Sequence, residues 1–416
     1  MKTIQEEKRM SIVIVGHVDH GKSTLIGRLL YDTNSLPRDK FEEVKETCEA
    51  LGREMEFGFI LDHLQEEREQ GITIDTAQIF FNTEKRNYVI IDAPGHREFI
   101  KNMITGASQT DAAILIVDAN EGVKEQTKRH AYILKMLGLK QLIIVINKMD
   151  LVNYRKDRFI EVKEDLLNFL LRLNLGPSFT IPIVAKNGDN IAKKSENMPW
   201  YKGKTVLECL DTFQSMRKNS DKSLRFSIQD VYKINNKRIL VGRVEAGVIK
   251  KGDEILILPK KKKTKVKSIE KFLENPIQGE AGESIGITIQ DSLFIERGNV
   301  ICKEVGDKPK VTDKIKANVF WISDREFNIN ERITLKLATQ EVSAKVEKIE
   351  KRIDSSTLKE IETNAKNLKN NEVGVMVVKT LKPVVVDNFN YIPELGRFVF
   401  EKDNGIVAGG IITEEK

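Results

Sequence analysis

The sequence predicts an α/β domain built on a phosphate-binding loop, followed by two small antiparallel β-barrels. Three observations predict it. Residues 11–24 read SIVIVGHVDHGKST, a β-branched run that stops at a glycine and opens into G-x-x-x-x-G-K-S. Up to about residue 217, apolar strand-like runs alternate with helical periodicity. Beyond residue 222 almost only short strands and turns remain.

The elements follow in order. Ser11 to Val15 suits a covered strand, because short Ile/Val runs fit a pleated, buried sheet. LIGRLL (25–30) starts a helix. Residues 31–70 form a long insertion in which FEEVKETCEALGRE has helical character; insertions of this length in compact domains usually serve function. AAILIVDA (112–119), LIIVIN (142–147) and IPIVA (181–185) read as buried strands. Segments 123–138, 155–173 and 204–216 read as helices, with Gly138 closing the first. Strand–helix alternation of this kind makes a doubly wound sheet. After the polar linker RKNSDK (217–222), strands are expected at 238–249, 253–258, 283–289, 331–338 and 373–387, a spacing that suits small antiparallel barrels. About 195 residues is too many for one such barrel and suits two, with a seam near 305–312.

Composition bounds the rest. The chain has 416 residues, 31% charged and 40% apolar, which predicts a soluble globular protein of several domains. A net charge of +6 permits nucleic-acid contact without arguing for it. Three scattered cysteines (48, 209 and 302) form no zinc motif and fit a reducing, cytoplasmic setting. The short charged start MKTIQEEKRM is no signal peptide, and no apolar run approaches a membrane span.

The chemistry begins at the loop Gly16, His17, Val18, Asp19, His20, Gly21. Four residues between glycines let the backbone curl with its N–H groups pointing inward at a phosphate, and the helix opened by Lys22, Ser23 and Thr24 adds partial positive charge. Lys22 would reach the β- and γ-phosphates, and the Ser23 hydroxyl would ligate Mg²⁺. EREQGITID (67–75) supplies Thr73, expected to give its hydroxyl to Mg²⁺ only while a γ-phosphate is present. VIIDAPGH (89–96) supplies Asp92, holding Mg²⁺ through water, and Gly95, whose N–H would meet the γ-phosphate. His96 would orient the attacking water; the plainer reading packs it on Phe99. His17, His63 and His130 lack metal-ligand spacing and read as structural or solvated.

LIIVINKMD (142–150) chooses the base. Guanine offers adjacent N1–H and N2–H₂ donors, and Asp150 can accept both; adenine would leave that carboxylate unpaired. Asn147 would tie the base loops together, and the Lys148 stem would cover a ring face. The expected fold is therefore an α/β P-loop GTPase domain followed by two small antiparallel β-barrels, over 1–218, 223–307 and 308–416, with GTP and Mg²⁺ as ligands. The run PKKKKTKVK (259–267) has a nucleic-acid reading, but with no aromatics between the lysines it reads as a solvated hairpin tip.

GHVDHGKST, DAPGHREFIKNMITGASQTDAAILIVDA and NKMD resemble the translation-factor class of GTPases, which includes elongation factors Tu and 1-alpha. The order of one GTPase domain and two barrels is similar to theirs, and the resemblance covers nearly the whole chain. Within the class, LQEEREQGITID, NTEKRNYVIID, GDNIAKKSENMPWYKGKTVLECLD and the compact last domain look most like the large subunit of ATP sulfurylase. ITLKLATQEVSAKVEKIEKRIDSSTLKEIE resembles that subunit's barrel rather than the longer, histidine-bearing segment with which elongation factors face tRNA. That resemblance implies a chain that couples GTP hydrolysis to adenylyl sulfate synthesis by a separate small catalytic subunit, with no nucleic-acid partner. The alternative is a translation-factor-like carrier of aminoacyl-tRNA. The class's guanine-contacting Ser-Ala-Leu or Ser-Ala-Lys appears here as Val184-Ala185-Lys186, which removes a hydroxyl that supports the Asp150 loop. The resemblance places the Ala185 N–H at the guanine O6.

Overall fold

The computed structural model describes residues 9–36, 42, 46, 57–58, 78–91, 110–214, 219–234, 237–271 and 276–413. They fall into two compact units, divided after residue 216.

The first unit is a six-stranded sheet of Met10–Gly16 (β1), Gln78–Asn82 (β2), Asn87–Ile91 (β3), Ala112–Asp118 (β4), Leu142–Asn147 (β5) and Phe179–Pro182 (β6), in the order β2-β3-β1-β4-β5-β6. Only β2 runs antiparallel to its neighbour. Every residue of β4 and of β5 is buried, which is why both read as unbroken apolar runs: a parallel sheet is covered on both faces. The helices Lys22–Asp32 (α1), Glu125–Met136 (α2) and Lys156–Arg172 (α3) bury one stripe each, in α3 Phe159, Val162, Leu166, Phe169 and Leu170. β1 and β4 are hydrogen-bonded neighbours whose chains continue to opposite sides of the sheet. The crevice at their carboxyl ends is where such sheets bind ligands.

The helix expected over 204–216 is shorter. Val206–Leu210 (α4) starts on a capping box, in which Thr205 Oγ1 accepts the Glu208 N–H and Glu208 Oε2 accepts the Thr205 N–H. Past Leu210 it tightens into single turns, with the Thr212 and Phe213 N–H groups donating to the Cys209 and Leu210 carbonyls. Asp211 accepts the Tyr88 hydroxyl at 2.7 Å and the Thr83 hydroxyl at 2.8 Å, tying the segment to β3 and the turn before it. The helix expected around FEEVKETCEALGRE lies largely outside the described residues.

The second unit begins with Arg225–Ile234 (β7), Lys237–Ala246 (β8), Val248–Lys250 (β9), Glu254–Leu258 (β10), Lys262–Glu270 (β11), Gln278–Glu280 (β12), Ser284–Ile289 (β13) and Val300–Lys303 (β14). Six of these close a barrel, β10-β11-β13-β8-β7-β14 and back to β10. The lysine run forms the β10–β11 hairpin, with Thr264 and Val266 turned inward and Lys263 and Lys265 ion-paired to Glu304 and Glu254.

A further set follows: Lys310–Trp321 (β15), Phe327–Asn328 (β16), Arg332–Leu337 (β17), Gln340–Asp354 (β18), Glu360–Ala365 (β19), Asn367–Leu368 (β20), Glu372–Val386 (β21), Arg397–Lys402 (β22) and Gly405–Ile412 (β23). The order β17-β22-β23-β15-β21-β18 returns to β17 through a β17–β18 ladder, so six strands close a second ring and β19 hangs on its edge.

The two rings share apolar surface. Ile255 and Ile257 of β10 point into the first barrel, whereas Leu256 and Leu258 join the core of the second. Arg225, fully buried, spends all five donors in the same region: on both Asp387 oxygens, on the Asp307 carboxylate and carbonyl, and on the Leu224 carbonyl.

Candidate functional site

The site is built on the carboxyl ends of β1, β4 and β5. Beyond β1 the chain turns through two left-handed residues, Asp19 (φ 63°) and Gly21 (φ 91°), before α1 begins. Two glycines are required by space. A Cβ on Gly16 would stand 2.4 Å from the Ile116 carbonyl oxygen, and one on Gly21 would stand 2.4 Å from Asn147 Nδ2. Lys22 reaches back across the loop, donating to the carbonyls of Gly16 (3.1 Å) and His17 (2.7 Å). Gly21 offers no side-chain cap to α1, and uncapped first-turn N–H groups have no acceptor within their own helix. A curled loop, a lysine across it and an uncapped helix start suit a polyphosphate.

The loop's side chains anchor it. His17 Nδ1 meets Gln126 Oε1 of α2 at 2.5 Å, and the His17 and His20 rings pack edge to face, 5.1 Å apart. His20 is fully buried, with Nδ1 3.4 Å from the Ile116 carbonyl and Nε2 3.7 Å from Glu121. Burial pushes its imidazole below the usual histidine range. Val18 is exposed at the apex, while Ser23 and Thr24 sit half-buried in the first turn of α1.

The base side is organised by Asn147. Its Nδ2 donates to the His20 carbonyl and its Oδ1 accepts the Ala185 N–H, both at 2.9 Å, so one buried amide joins the loops after β1, β5 and β6. The Ala185 N–H, expected at the guanine O6, is instead turned to Asn147. Lys186, next along, is exposed. Val184 is buried, and its carbonyl accepts the N–H groups of Asn187, Gly188 and Asp189, so a backbone turn supports this loop where the class has a serine.

Asp150 Oδ1 is buried and has no hydrogen-bond partner among the described residues. A native carboxylate left in this state needs a donor, and guanine brings two. The residues present therefore fit a guanine nucleotide at both of its ends, and Ser23, in the first turn of α1, is the residue that would hold Mg²⁺. Thr73, Asp92, Gly95 and His96 lie outside the described residues.

The sequence reading passed over Asp118, at the end of β4. It accepts the N–H groups of Asn120 (2.7 Å) and Glu121 (3.1 Å) and pairs with the Lys148 ammonium at 2.8 Å. Burial alone would raise this carboxyl, but Lys148 and the turn N–H groups outweigh it and hold it below the ordinary carboxylate range. An acid ending an otherwise apolar strand, one strand before NKMD, was the available signal.

Fold and site together define a P-loop GTPase whose nucleotide domain is followed in the chain by two β-barrels. Residues 7–226 match the protein-family model for the elongation factor Tu GTP binding domain, 237–302 that for elongation factor Tu domain 2, and 314–413 that described as GTP-eEF1A C-terminal domain-like. The chain belongs to the elongation factor Tu and elongation factor 1-alpha family of GTPases, whose ligands are GTP and Mg²⁺. Elongation factor 1-alpha of Pyrococcus horikoshii is 41% identical over 431 residues, covering 99% of each chain. That of Pyrococcus abyssi is 42% identical over 431 residues, again 99% of each. That of Methanocaldococcus jannaschii is 38% identical over 418 residues, 98% of this chain and 97% of its own.

These relatives overturn the reading as the large subunit of ATP sulfurylase, and with it the small catalytic partner and the exclusion of nucleic acid. That reading rested on LQEEREQGITID, NTEKRNYVIID and GDNIAKKSENMPWYKGKTVLECLD, and was favoured by the compact last domain. The second ring is closed by backbone ladders among its six strands, and the lengths of the connections between them do not alter that closure. Short stretches and a compact last domain were therefore a poor basis for choosing within the class, which the full-length relatives decide. No described helix is long and apolar enough to cross a membrane.

Proposed function

We propose that this chain is a translation elongation GTPase that carries aminoacyl-tRNA in its GTP state and releases it after hydrolysis. The observation that carries the proposal is the match to proteins named elongation factor 1-alpha, which runs from the phosphate loop to the last barrel with almost nothing left over in either chain. In this reading the loop 16–21 and Lys22 hold the phosphates, and Asp150 selects guanine through the oxygen that has no partner among the described residues. Asn147 keeps the base and phosphate loops in register. Ser23, Thr73 and Asp92 hold Mg²⁺, which when bound neutralises charge on the β- and γ-phosphates. Thr73 and the Gly95 N–H sense the γ-phosphate, and His96 orients the attacking water.

The test is protection of the aminoacyl ester. The chain is mixed with aminoacyl-tRNA and GTP, or GDP, and the rate of spontaneous ester hydrolysis is followed. Slower hydrolysis with GTP than with GDP is expected. Equal rates in the two states, at protein concentrations that saturate with nucleotide, would remove the carrier reading.

A further inference from the structure

We propose that Asp118 is a positioning residue for guanine recognition, holding the Lys148 side chain in place before the nucleotide arrives. The proposal rests on the reading of Lys148 as the residue that covers the base. β4 and β5 end level, because the parallel register pairs Asp118 with Asn147. Lys148, one residue beyond β5, therefore begins beside the Asp118 carboxylate. Its Nζ lies 2.8 Å from Asp118 Oδ2, and the two side chains are 31% and 2% exposed. The pair is rooted inside the protein and open only on the lysine side.

The carboxylate has no freedom to turn away. Its other oxygen is held by the Asn120 and Glu121 N–H groups. That turn is clamped in its own right by Arg158 of α3, which donates to the carbonyls of Ala119 (2.8 Å) and Asn120 (2.9 Å). Lys148 also sits at φ 60°, a left-handed conformation that is unfavourable for a residue bearing a Cβ. Such strain persists where the surroundings over-determine it. A solvated lysine side chain has wide rotamer freedom that it would lose on covering a base. Here Asp118 has already removed that freedom, which is preorganisation of the binding site.

The test is a double-mutant cycle on the release of GDP bearing a fluorescent ribose label. Asp118→Asn keeps an oxygen for the two turn N–H groups and presents an amide N–H₂ to the ammonium. Lys148→Met keeps most of the stem and removes the charge. Each single variant is expected to release GDP about tenfold faster, and the double variant no faster than either. A merely structural Asp118 would give factors that multiply, and multiplication overturns the proposal. So does a wild-type rate in Asp118→Asn. A wild-type rate in Lys148→Met instead removes the base-covering reading of Lys148 itself. Should Asp118→Asn fail to fold, Asp118→Ser, whose hydroxyl still accepts a turn N–H, takes its place in the cycle.

Discussion

Replacing Asn147 by alanine tests the joint on which the site depends. The amide makes two buried hydrogen bonds, one to the phosphate loop and one to the loop after β6. Alanine leaves the His20 carbonyl and the Ala185 N–H without partners, and each such orphaned group costs about 1–3 kcal/mol. The sum is roughly 2–6 kcal/mol if both stay dry. In the free protein the loops can part and let water reach both groups. Binding a nucleotide requires them to close again, so most of the cost falls on affinity. Taking the lower half of the range, at about 1.4 kcal/mol per decade, GDP dissociation should accelerate by about 30-fold to 1000-fold. Stopped-flow release of a fluorescent GDP measures this directly, with urea unfolding of the nucleotide-free protein as the companion experiment. A rate within threefold of wild type would refute the claim that one amide holds base and phosphate loops together.

Four further predictions follow from named groups. Asp150→Asn should lower GDP affinity and favour a xanthine nucleotide, since an amide can donate to the C2 oxygen; an unchanged guanine preference in competition binding would contradict the base assignment. His96→Ala should slow GTP hydrolysis with little change in GTP affinity, and a single-turnover rate equal to wild type would exclude it as the water-orienting group. Arg225→Met should destabilise the second unit by about 3–5 kcal/mol, because Asp387 and Asp307 lose the cation that compensates them; the urea midpoint reports it, and a midpoint equal to wild type would refute that accounting of the pair. Burial, then the nearby Glu394 carboxylate, push Glu245 up to about 7, well above an unfolded glutamate. The folded state then binds the extra proton, so this contribution is present in full below about 4.3 and is lost as pH rises through about 7. Glu245→Gln should flatten that part of the stability–pH curve, and an unaltered slope would count against the shift.

Much of the nucleotide site could be read directly, because its recognition elements are contiguous. Gly16 to Thr24 fold one loop, and Asn147 to Asp150 fold one strand end, so their chemistry is written in neighbouring residues. The strands β4 and β5 were legible for a similar reason, since burial on both faces demands an unbroken apolar run. The sequence overextends α4 because its periodicity continues past Leu210, while Asp211 accepts hydroxyls 123 and 128 residues away in sequence.

Local sequence therefore set the class of ligand, the strand–helix order and the presence of β-rich segments that follow the nucleotide domain in the chain. Tertiary structure decided what depends on register between distant strands. It set Asp118 level with Asn147 and thus beside Lys148, and it turned the Ala185 N–H to an amide 38 residues away. It also closed the second ring through the β17–β18 ladder and gathered Asp307 and Asp387 around Arg225. The physical reason is range. Propensity, caps and loop glycines act within a few residues, whereas a buried polar group takes whatever partner the packed sheet brings to it.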